Sequence, residues 1–263
     1  MYFLNLGVSD LILLTQTFLF NTLGLPIFTT WDNNYIVLLV SQFFYHMAVG
    51  LTAYSVAVLS FQRYRVTVKS LQVRVSSQTS WHATVATICG VWIVAALLAV
   101  PRNLVCGIYG LVIRWEFEKY FRFTSLFELL LLCIIPLCVI TFSYCLTSCH
   151  LVRNSFYISG MAQNPLIKKR RNAAKVVLGL AIVFAISYVP AFFILTFCSL
   201  YFSTIMTEIV RFFFLLYSKE ICICFVCLNS CLNPVAVFCT SLAFRMRLKR
   251  YLTRCCTKIF PPY

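Results

Sequence analysis

The chain has 263 residues, of which 61% are hydrophobic and 11% are charged, whereas a soluble domain is about half apolar and about a quarter charged. With six long apolar stretches, this composition excludes a soluble protein and predicts an all-α, polytopic membrane bundle. The 22 Lys and Arg outnumber the 7 Asp and Glu, for a net charge of +15. In a soluble protein such an excess would indicate nucleic acid, but here it is first interpreted as loop charge that orients the chain in a bilayer.

A helix needs about 20 apolar residues to cross the hydrocarbon core of a bilayer, and six stretches reach that length. A short amphipathic helix is predicted after them at 242–254. We expect all of these segments to form one transmembrane domain over residues 1–263. The predicted spans are 2–28, 35–61, 82–101, 124–150, 174–200 and 211–240.

Basic residues concentrate on one side of the predicted bundle. The breaks at 62–81 and 151–175 and the tail after residue 241 hold 4, 6 and 6 Lys or Arg, with no acid. The other side has six basic residues, among them Arg102 in the break at 102–123, and five acids. Since Lys and Arg accumulate on the cytoplasmic face, both termini are predicted to lie on the cytoplasmic side of a cell membrane. Orientation accounts for the charge without nucleic acid.

The chain shows no pattern typical of an enzyme or a metal centre. Most of its 14 Cys lie in apolar stretches, where they are expected to pack against neighbouring helices. No paired Cys and His spacing suits zinc, and His46, His82 and His150 lie at different depths. We therefore predict no enzyme, no metal centre and no cofactor other than a sodium ion.

Several polar residues lie inside the apolar spans. Such groups are costly in lipid, so they mark the interior of a bundle and often its functional site. Tyr45 and Arg63 are 18 residues apart and share one helical face, which places a polar stripe along the second span. The polar residues are Asp10, Gln42, His46, Thr52, Glu128, Asn229, Ser230 and Asn233.

Six motifs on separate spans recur in a fixed order. They are Asp10 in NLGVSDL, the Gln62-Arg63-Tyr64 triplet, Trp92, Pro136 with Tyr144, Phe184 and Pro190 in FAISYVP, and the NSCLNP that ends at Pro234. In order and spacing, over almost the whole chain, they resemble those of the rhodopsin-like (class A) G-protein-coupled receptors. The resemblance implies a seven-helix receptor fold whose first helix is missing here, so that residue 1 corresponds to the start of the family's second helix.

The resemblance also implies a function. It indicates a receptor that binds an extracellular ligand and activates a heterotrimeric G protein through the cytoplasmic ends of its helices. An opsin would carry a lysine at Cys227, and an amine receptor would carry an aspartate at Tyr45. The segment 170–190, the mixed charges of 102–123 and the LNSCLNP motif look most like receptors of peptides.

Two sets of site residues follow from the resemblance and from the polar stripe. Asp10, Thr52, Asn229, Ser230 and Asn233 offer the oxygen ligands that suit a sodium ion; alternatively, Asp10 is an interior acid that only joins three helices. The expected ligand pocket also has a purely structural alternative. In that alternative its polar residues only form hydrogen bonds within the bundle, its aromatic residues belong to the hydrophobic core, and Lys219 and Glu220 are solvated. The pocket residues are Gln42, Tyr45, His46, Glu128, Tyr188, Phe192, Lys219 and Glu220.

A third set serves G-protein coupling and switching in the family. Arg63 could alternatively be a simple anchor at the membrane surface. Cys255 and Cys256 follow the basic amphipathic helix and are interpreted as palmitoylation sites or as unmodified thiols. Cys106 matches the family's external disulfide, with no identified partner. The coupling and switch residues are Arg63, Tyr64, Tyr144, Phe184, Pro190 and Pro234.

The sequence also departs from the family pattern at four positions. Gln62 replaces the acid beside the arginine, Tyr188 a tryptophan, Val237 the tyrosine of the last motif, and Leu38 the external cysteine. Two alternatives to a signalling receptor therefore remain: a truncated or degenerate receptor fold, and a transporter or channel. The sequence disfavours a transporter or channel, because it shows neither the internal repeats with paired broken helices of transporters nor the arginine-rich spans of voltage sensors.

Overall fold

The structure, a computed structural model, describes residues 1–18, 35–72, 81–108, 114–157, 165–205 and 208–259, and all of these segments are helical. The predicted all-α fold is therefore confirmed for the described part of the chain. The helices are α1 (Tyr2–Thr17), α2 (Tyr35–Gln72), α3 (Trp81–Ile108), α4 (Arg114–Glu128), α5 (Ile135–Tyr157), α6 (Pro165–Ile205), α7 (Glu208–Thr240) and α8 (Leu242–Ile259), with a π-helical turn at Leu129–Ile134 between α4 and α5.

Five stretches within these helices are long and apolar enough to cross a membrane. The first predicted span, 2–28, coincides with α1 as far as Thr17. Its remainder runs into residues 19–34, which lie outside the described segments. The chain therefore has the helices of a multi-pass membrane protein. The five stretches are Leu39–Val66, Trp81–Leu104, Tyr120–His150, Ala174–Leu200 and Glu220–Thr240.

The helices are longer than the spans that hydropathy predicts. The second ends at Gln72 instead of residue 61, and α6 begins at Pro165 instead of residue 174. The predicted amphipathic helix at 242–254 likewise continues to Ile259. Apolar sequence marks only the part of a helix within hydrocarbon, and backbone hydrogen bonds can continue beyond it. The break before residue 35 lies outside the described segments, and parts of the four later predicted breaks are helical: 62–81, 102–123, 151–173 and 201–210.

The α4 and α5 helices form one continuous rod through the π-helical turn. This turn lies just before Pro136, which has no N–H to donate to the preceding turn. The Tyr54 hydroxyl on α2 donates a hydrogen bond of 2.9 Å to the carbonyl oxygen of Leu131 within the turn. A side chain of the neighbouring helix thus supplies a donor where the backbone pattern is irregular.

The central helix of the bundle is α2, which packs against α1, α3, α5 and α6. Of its apolar stretch, 67% is buried inside the protein, against 17% for the stretch in α3. Small residues let these two helices approach closely, because a Cβ added at Gly50 would lie only 3.3 Å from the Cβ of Ala95. Residues along α2 can therefore meet partners from most of the bundle.

Candidate functional site

Asp10 on α1 lies at the centre of a buried polar cluster. One of its carboxylate oxygens, Oδ1, accepts hydrogen bonds from the hydroxyls of Ser230 at 2.9 Å and Thr52 at 3.5 Å. The other, Oδ2, accepts one from the Asn233 amide at 3.0 Å. The Thr52 hydroxyl also lies 3.1 Å from the hydroxyl of Ser9. We call this group, with Asn229, the Asp10 cluster; it joins α1, α2 and α7.

Asn229 completes the Asp10 cluster but is not hydrogen-bonded in it. Its side chain is fully buried, and neither its amide nitrogen nor its amide oxygen has a hydrogen-bond partner among the described residues. The side-chain oxygen of Asn233 is also buried without a hydrogen-bond partner among the described residues. Leaving such a group unsatisfied costs about 1–3 kcal/mol. These oxygens and the Asp10 carboxylate are the ligand types of a hard cation, so the donor set fits a sodium ion.

A second buried polar group surrounds Glu128 at the end of α4. Its carboxylate Oε1 lies 3.3 Å from His46 Nδ1 on α2. The other oxygen, Oε2, lies 3.9 Å from Arg102 Nη1 on α3. His46 and Glu128 were predicted from the sequence as ligand contacts, and the structure brings these two side chains together. We call Glu128, His46, Arg102, Thr124 and Ser125 the Glu128 cluster.

Within α4, Arg102 is held by Thr124 and Ser125 more firmly than by Glu128. Its Nη1 donates to the hydroxyls of Thr124 at 3.2 Å and Ser125 at 3.3 Å. Both hydroxyls in turn lie within 3.0 Å of the Phe121 carbonyl oxygen, to which they donate. The guanidinium carbon also lies 4.2 Å from the centroid of the Phe121 ring. The side chain of Arg102 is therefore fixed in place by one turn of α4.

The burial of Arg102 was not expected from the sequence. The residue was counted among the charges of an external break, whereas it lies in α3 and is only 8% exposed. A signal was present, because Val91, Ala95, Ala99 and Arg102 follow one another at helical spacing on the buried face of α3. The hydropathy pattern predicted that the span ends at residue 101. Because Arg102 is charged, it was not recognised as the next residue on the buried face of α3.

An aromatic column lies beside these clusters on α6. Tyr188 is fully buried, stacks on Phe184 with ring centroids 4.5 Å apart, and contacts Phe192 at 5.8 Å. Its hydroxyl lies 3.4 Å from the carbonyl oxygen of Val49 on α2, to which it donates. Tyr45 packs edge-to-face on the neighbouring ring of His46 at 5.3 Å. Of the predicted aromatic residues of the pocket, Tyr45 therefore contacts the Glu128 cluster, Tyr188 contacts α2 through Val49, and Phe192 packs on Tyr188.

Along α2, these contacts occur in a fixed order. His46 belongs to the Glu128 cluster, Val49 contacts Tyr188, and Thr52 belongs to the Asp10 cluster. With a rise of about 1.5 Å per residue, His46 and Thr52 are about 9 Å apart along the axis. Arg63 follows about 16 Å further on. One helix thus connects both clusters with the predicted coupling residue.

The C-terminal third of α2 carries the predicted coupling residues. Arg63 and Tyr64 are half-buried, and the Tyr64 ring lies 6.4 Å from the ring of His150 on α5. Gln62, which stands where the family has an acid, donates a hydrogen bond through its amide to the Tyr2 hydroxyl on α1. The sequence had not predicted this contact, which joins α2 at Gln62 to the start of α1.

The remaining predicted residues are distributed as follows. Pro190 and Pro234 lie within α6 and α7, Tyr144 and Gln42 are half-buried, and Glu220 is exposed. The side chains of four further residues lie outside the described part of the structure, so the disulfide and lipidation predictions fall outside it. They are Lys219, Cys106, Cys255 and Cys256.

A third polar contact was missed from the sequence. The Asn5 amide donates to the Ser55 hydroxyl at 2.8 Å, and its oxygen accepts a hydrogen bond from the Trp92 indole at 2.8 Å. This contact joins α1, α2 and α3. The signal was the spacing of Asn5 and Ser9, which lie four residues apart in an apolar span and therefore share one face.

The chain is similar in sequence to known membrane receptors. The family model of the seven-transmembrane receptors of the rhodopsin family matches residues 1–236. The chain is 26% identical to the neuropeptide CCHamide-1 receptor of Drosophila melanogaster over 95% of the chain and 53% of that protein. It is 29% identical to the human endothelin receptor type B, over 80% of the chain and 50% of the receptor. A bombesin receptor of Bombina orientalis is 28% identical over 82% of the chain and 57% of that protein. The chain thus spans about half the length of these relatives.

Proposed function

Because this chain belongs to the rhodopsin family of seven-transmembrane receptors, we propose that it binds an extracellular peptide and activates a heterotrimeric G protein. It is a multi-pass protein of the cell membrane, with five described stretches that can span the bilayer. The relatives are named as receptors of a neuropeptide, of endothelin and of bombesin. These names support a peptide as the class of ligand.

The order of contacts along α2 is the observation that best supports signalling. A ligand that contacts His46 and Glu128 acts one helical turn away from the carbonyl that holds Tyr188. Movement of Tyr188 carries the stacked Phe184 and the proline-containing part of α6 with it. Because buried packing has discrete arrangements rather than a continuum, a small displacement here can shift the cytoplasmic end of α6.

The Asp10 cluster is proposed to set the resting arrangement. Asp10, Thr52 and Ser230 tie α1, α2 and α7 together, while Asn229 and Asn233 keep oxygens without partners among the described residues. A bound sodium ion would supply positive charge that compensates the carboxylate within the membrane. Rearrangement of α6 and α7 would then require these residues to exchange partners.

At the cytoplasmic side, Arg63 and Tyr64 are proposed to contact the G protein. Both are half-buried in the C-terminal third of the central helix, where a shift of neighbouring helices would change their exposure. Tyr144 and Pro234 are proposed to accommodate the motion of α5 and α7. The basic helix α8 would lie on the inner leaflet, with acylation proposed at Cys255 and Cys256.

The proposal is tested by the replacement of Arg63 with alanine. We expect cells that express the chain to activate a G protein when given pooled amidated peptides, and Arg63→Ala to lower that response at least about tenfold, a loss of about 1.4 kcal/mol in coupling. The measurement is a G-protein dissociation assay at matched surface expression. Arg65→Ala, which removes an exposed charge two residues away, serves as the control and should respond as the parent chain does. An equal response from the Arg63 and Arg65 variants would refute the coupling role.

A further inference from the structure

The carboxylate of Glu128 has hydrogen-bonding capacity that nothing in the described protein uses. Its side chain is only 3% exposed, and neither oxygen has a hydrogen-bond partner among the described residues. The contacts to His46 and Arg102 are ion-pair distances without hydrogen-bond geometry. A carboxylate can accept about four hydrogen bonds, and burying it with none is costly. The cluster therefore contains a buried acceptor that a donor from outside the chain can satisfy.

The position of Arg102 explains why that acceptor stays open. One Nη nitrogen carries two hydrogens, and those of Nη1 are directed to the hydroxyls of Thr124 and Ser125. These hydroxyls give their own hydrogens to the Phe121 carbonyl, which leaves their lone pairs for the arginine. Nη1 therefore has no hydrogen left for Glu128, in agreement with its distance of 3.9 Å.

The same contacts argue against an acidic ligand group at this cluster. Arg102 is the obvious partner for an anion, but its Nη1 is used by Thr124 and Ser125, and its guanidinium lies against the ring of Phe121. An anion placed there would also face the carboxylate of Glu128 across about 4 Å, where like charges repel. A cation placed at Glu128 gains an opposite charge and free acceptors instead, provided that it approaches the carboxylate on the side that Arg102 does not face, since Arg102 would repel it.

Aromatic rings beside the carboxylate suit the same kind of group. Tyr45 lies edge-to-face with His46, and a ring face within about 6 Å attracts a guanidinium or an ammonium. His46 is the most accessible charged or titratable member of the cluster, with 12% of its side chain exposed, against 9% for Arg102 and 3% for Glu128. A ligand group would therefore reach the carboxylate past His46 and Tyr45.

From these contacts we infer that the Glu128 cluster receives a cationic group of the ligand, a guanidinium or a primary ammonium, and that Glu128 accepts its hydrogen bonds. The inference rests on the proposed function, because it specifies which chemical group of a ligand that receptor recognises. A peptide would present this group as an arginine or lysine side chain or as its amino terminus.

The test uses small probes of one shape and three charges. Benzamidinium is a cation, benzamide is its neutral analogue and benzoate is the anion. The thermal unfolding of the purified full chain is measured with each probe at the same millimolar concentration. We expect benzamidinium alone to raise the melting temperature, by about 2–4 °C at a concentration several times its dissociation constant. A shift with benzoate, or with none of the three, would overturn the inference.

Variants locate the probe. Glu128→Gln, which keeps the shape and removes the charge, should lose the benzamidinium shift, whereas Glu128→Asp should retain part of it. Glu208→Gln, which removes an acid from the start of α7, should keep the full shift. An equal shift in Glu128→Gln and the parent chain would refute the assignment to Glu128. If Glu128→Gln does not fold, Glu128→Asp and the three probes on the parent chain still decide the result.

The assay separates this inference from the proposed function. Thermal unfolding requires no G protein and no native ligand, so it reports on the cluster alone. A chain that binds benzamidinium through Glu128 but never activates a G protein would contradict the proposed function and leave the inference intact. Amidated peptide pools that differ only by arginine or its neutral analogue citrulline can be compared in the same thermal unfolding assay. A shift only with the arginine pool would indicate a basic side chain, and equal shifts would indicate a terminal amine.

Discussion

Asn5 joins three helices with a single side-chain amide. The group carries donors and an acceptor a short distance apart, so that it can donate to Ser55 and accept from Trp92 simultaneously, both at 2.8 Å. All three residues lie on different helices, and Asn5 and Ser55 are buried. An aliphatic side chain of similar size could make neither bond.

We expect Asn5→Leu to destabilise the folded chain by about 1–3 kcal/mol, because it leaves the Trp92 indole N–H without its acceptor. The measurement is thermal unfolding of the purified chain. A double-mutant cycle provides the control: with Trp92→Phe, the orphaned donor is absent, and Asn5→Leu should cost less than in the parent chain. Strictly additive losses would show that the contact contributes nothing to stability.

At the level of residues, the sequence predicted the Asp10 cluster better than the Glu128 cluster. The Asp10 cluster contains polar groups deep inside apolar spans, so that each member stands out against its neighbours. Arg102 lies at the end of a span, where a charge is unremarkable, and its partner Glu128 belongs to another helix. Only the packing of α3 against α4 reveals that the two charges meet.

The π-helical turn at Leu129–Ile134 is the element that positions Glu128, the residue directly before it. Such turns add a residue to the helix and rotate the side chains that precede them, and they often occur at functional sites. The Tyr54 hydroxyl is the described side-chain donor to this turn, through the Leu131 carbonyl. The orientation of Glu128 therefore depends on a tyrosine of the neighbouring helix.

Replacement of Tyr54 by phenylalanine removes that donor and little else. We expect a loss of about 0.5–1.5 kcal/mol in stability, together with faster amide hydrogen exchange within the turn. The measurement combines thermal unfolding with hydrogen exchange resolved to the Leu129–Ile134 peptide. Tyr217→Phe, at a position that is 65% exposed, is the matched control and should change neither. Unchanged exchange in Tyr54→Phe would show that the turn holds without this bond.

Elements were predictable from the sequence as far as hydrocarbon determines them. Apolar runs located the helices correctly, because the bilayer imposes both their length and their composition. Helix ends were not predictable in this way: α2 continues to Gln72 and α8 to Ile259 through polar residues. The π-helical turn was also missed, since its sequence, LLLLCI, has no turn residue, and only the following Pro136 hints at it.

At the scale of the whole molecule, the Asp10 cluster connects the outer helices to the centre. If it holds a sodium ion, sodium should stabilise the entire bundle by linkage, by about 1.4 kcal/mol at about ten times the dissociation constant. We therefore expect sodium chloride to raise the melting temperature by about 3–6 °C relative to choline chloride at equal ionic strength.

The matched variant for this prediction is Asp10→Asn, which keeps the size of the side chain and removes its charge. The variant should melt at the same temperature in both salts. If sodium stabilised Asp10→Asn as much as the parent chain, the ion would be acting elsewhere, and Asp10 would serve only to join α1 with α2 and α7. Lithium and potassium at equal concentration would then report the size preference of the site.

The central place of α2 has an electrical consequence. Thr52, which contacts Asp10, stands halfway along the spanning stretch Leu39–Val66, so a monovalent ion that reaches it from outside crosses about half of the transmembrane voltage. One elementary charge moved through 100 mV corresponds to about 2.3 kcal/mol, and half of that is about a sevenfold change in occupancy. If the cluster holds such an ion, a depolarisation of 100 mV would therefore lower its occupancy about sevenfold without any change in ligand, and the stability of the bundle would depend on the membrane potential.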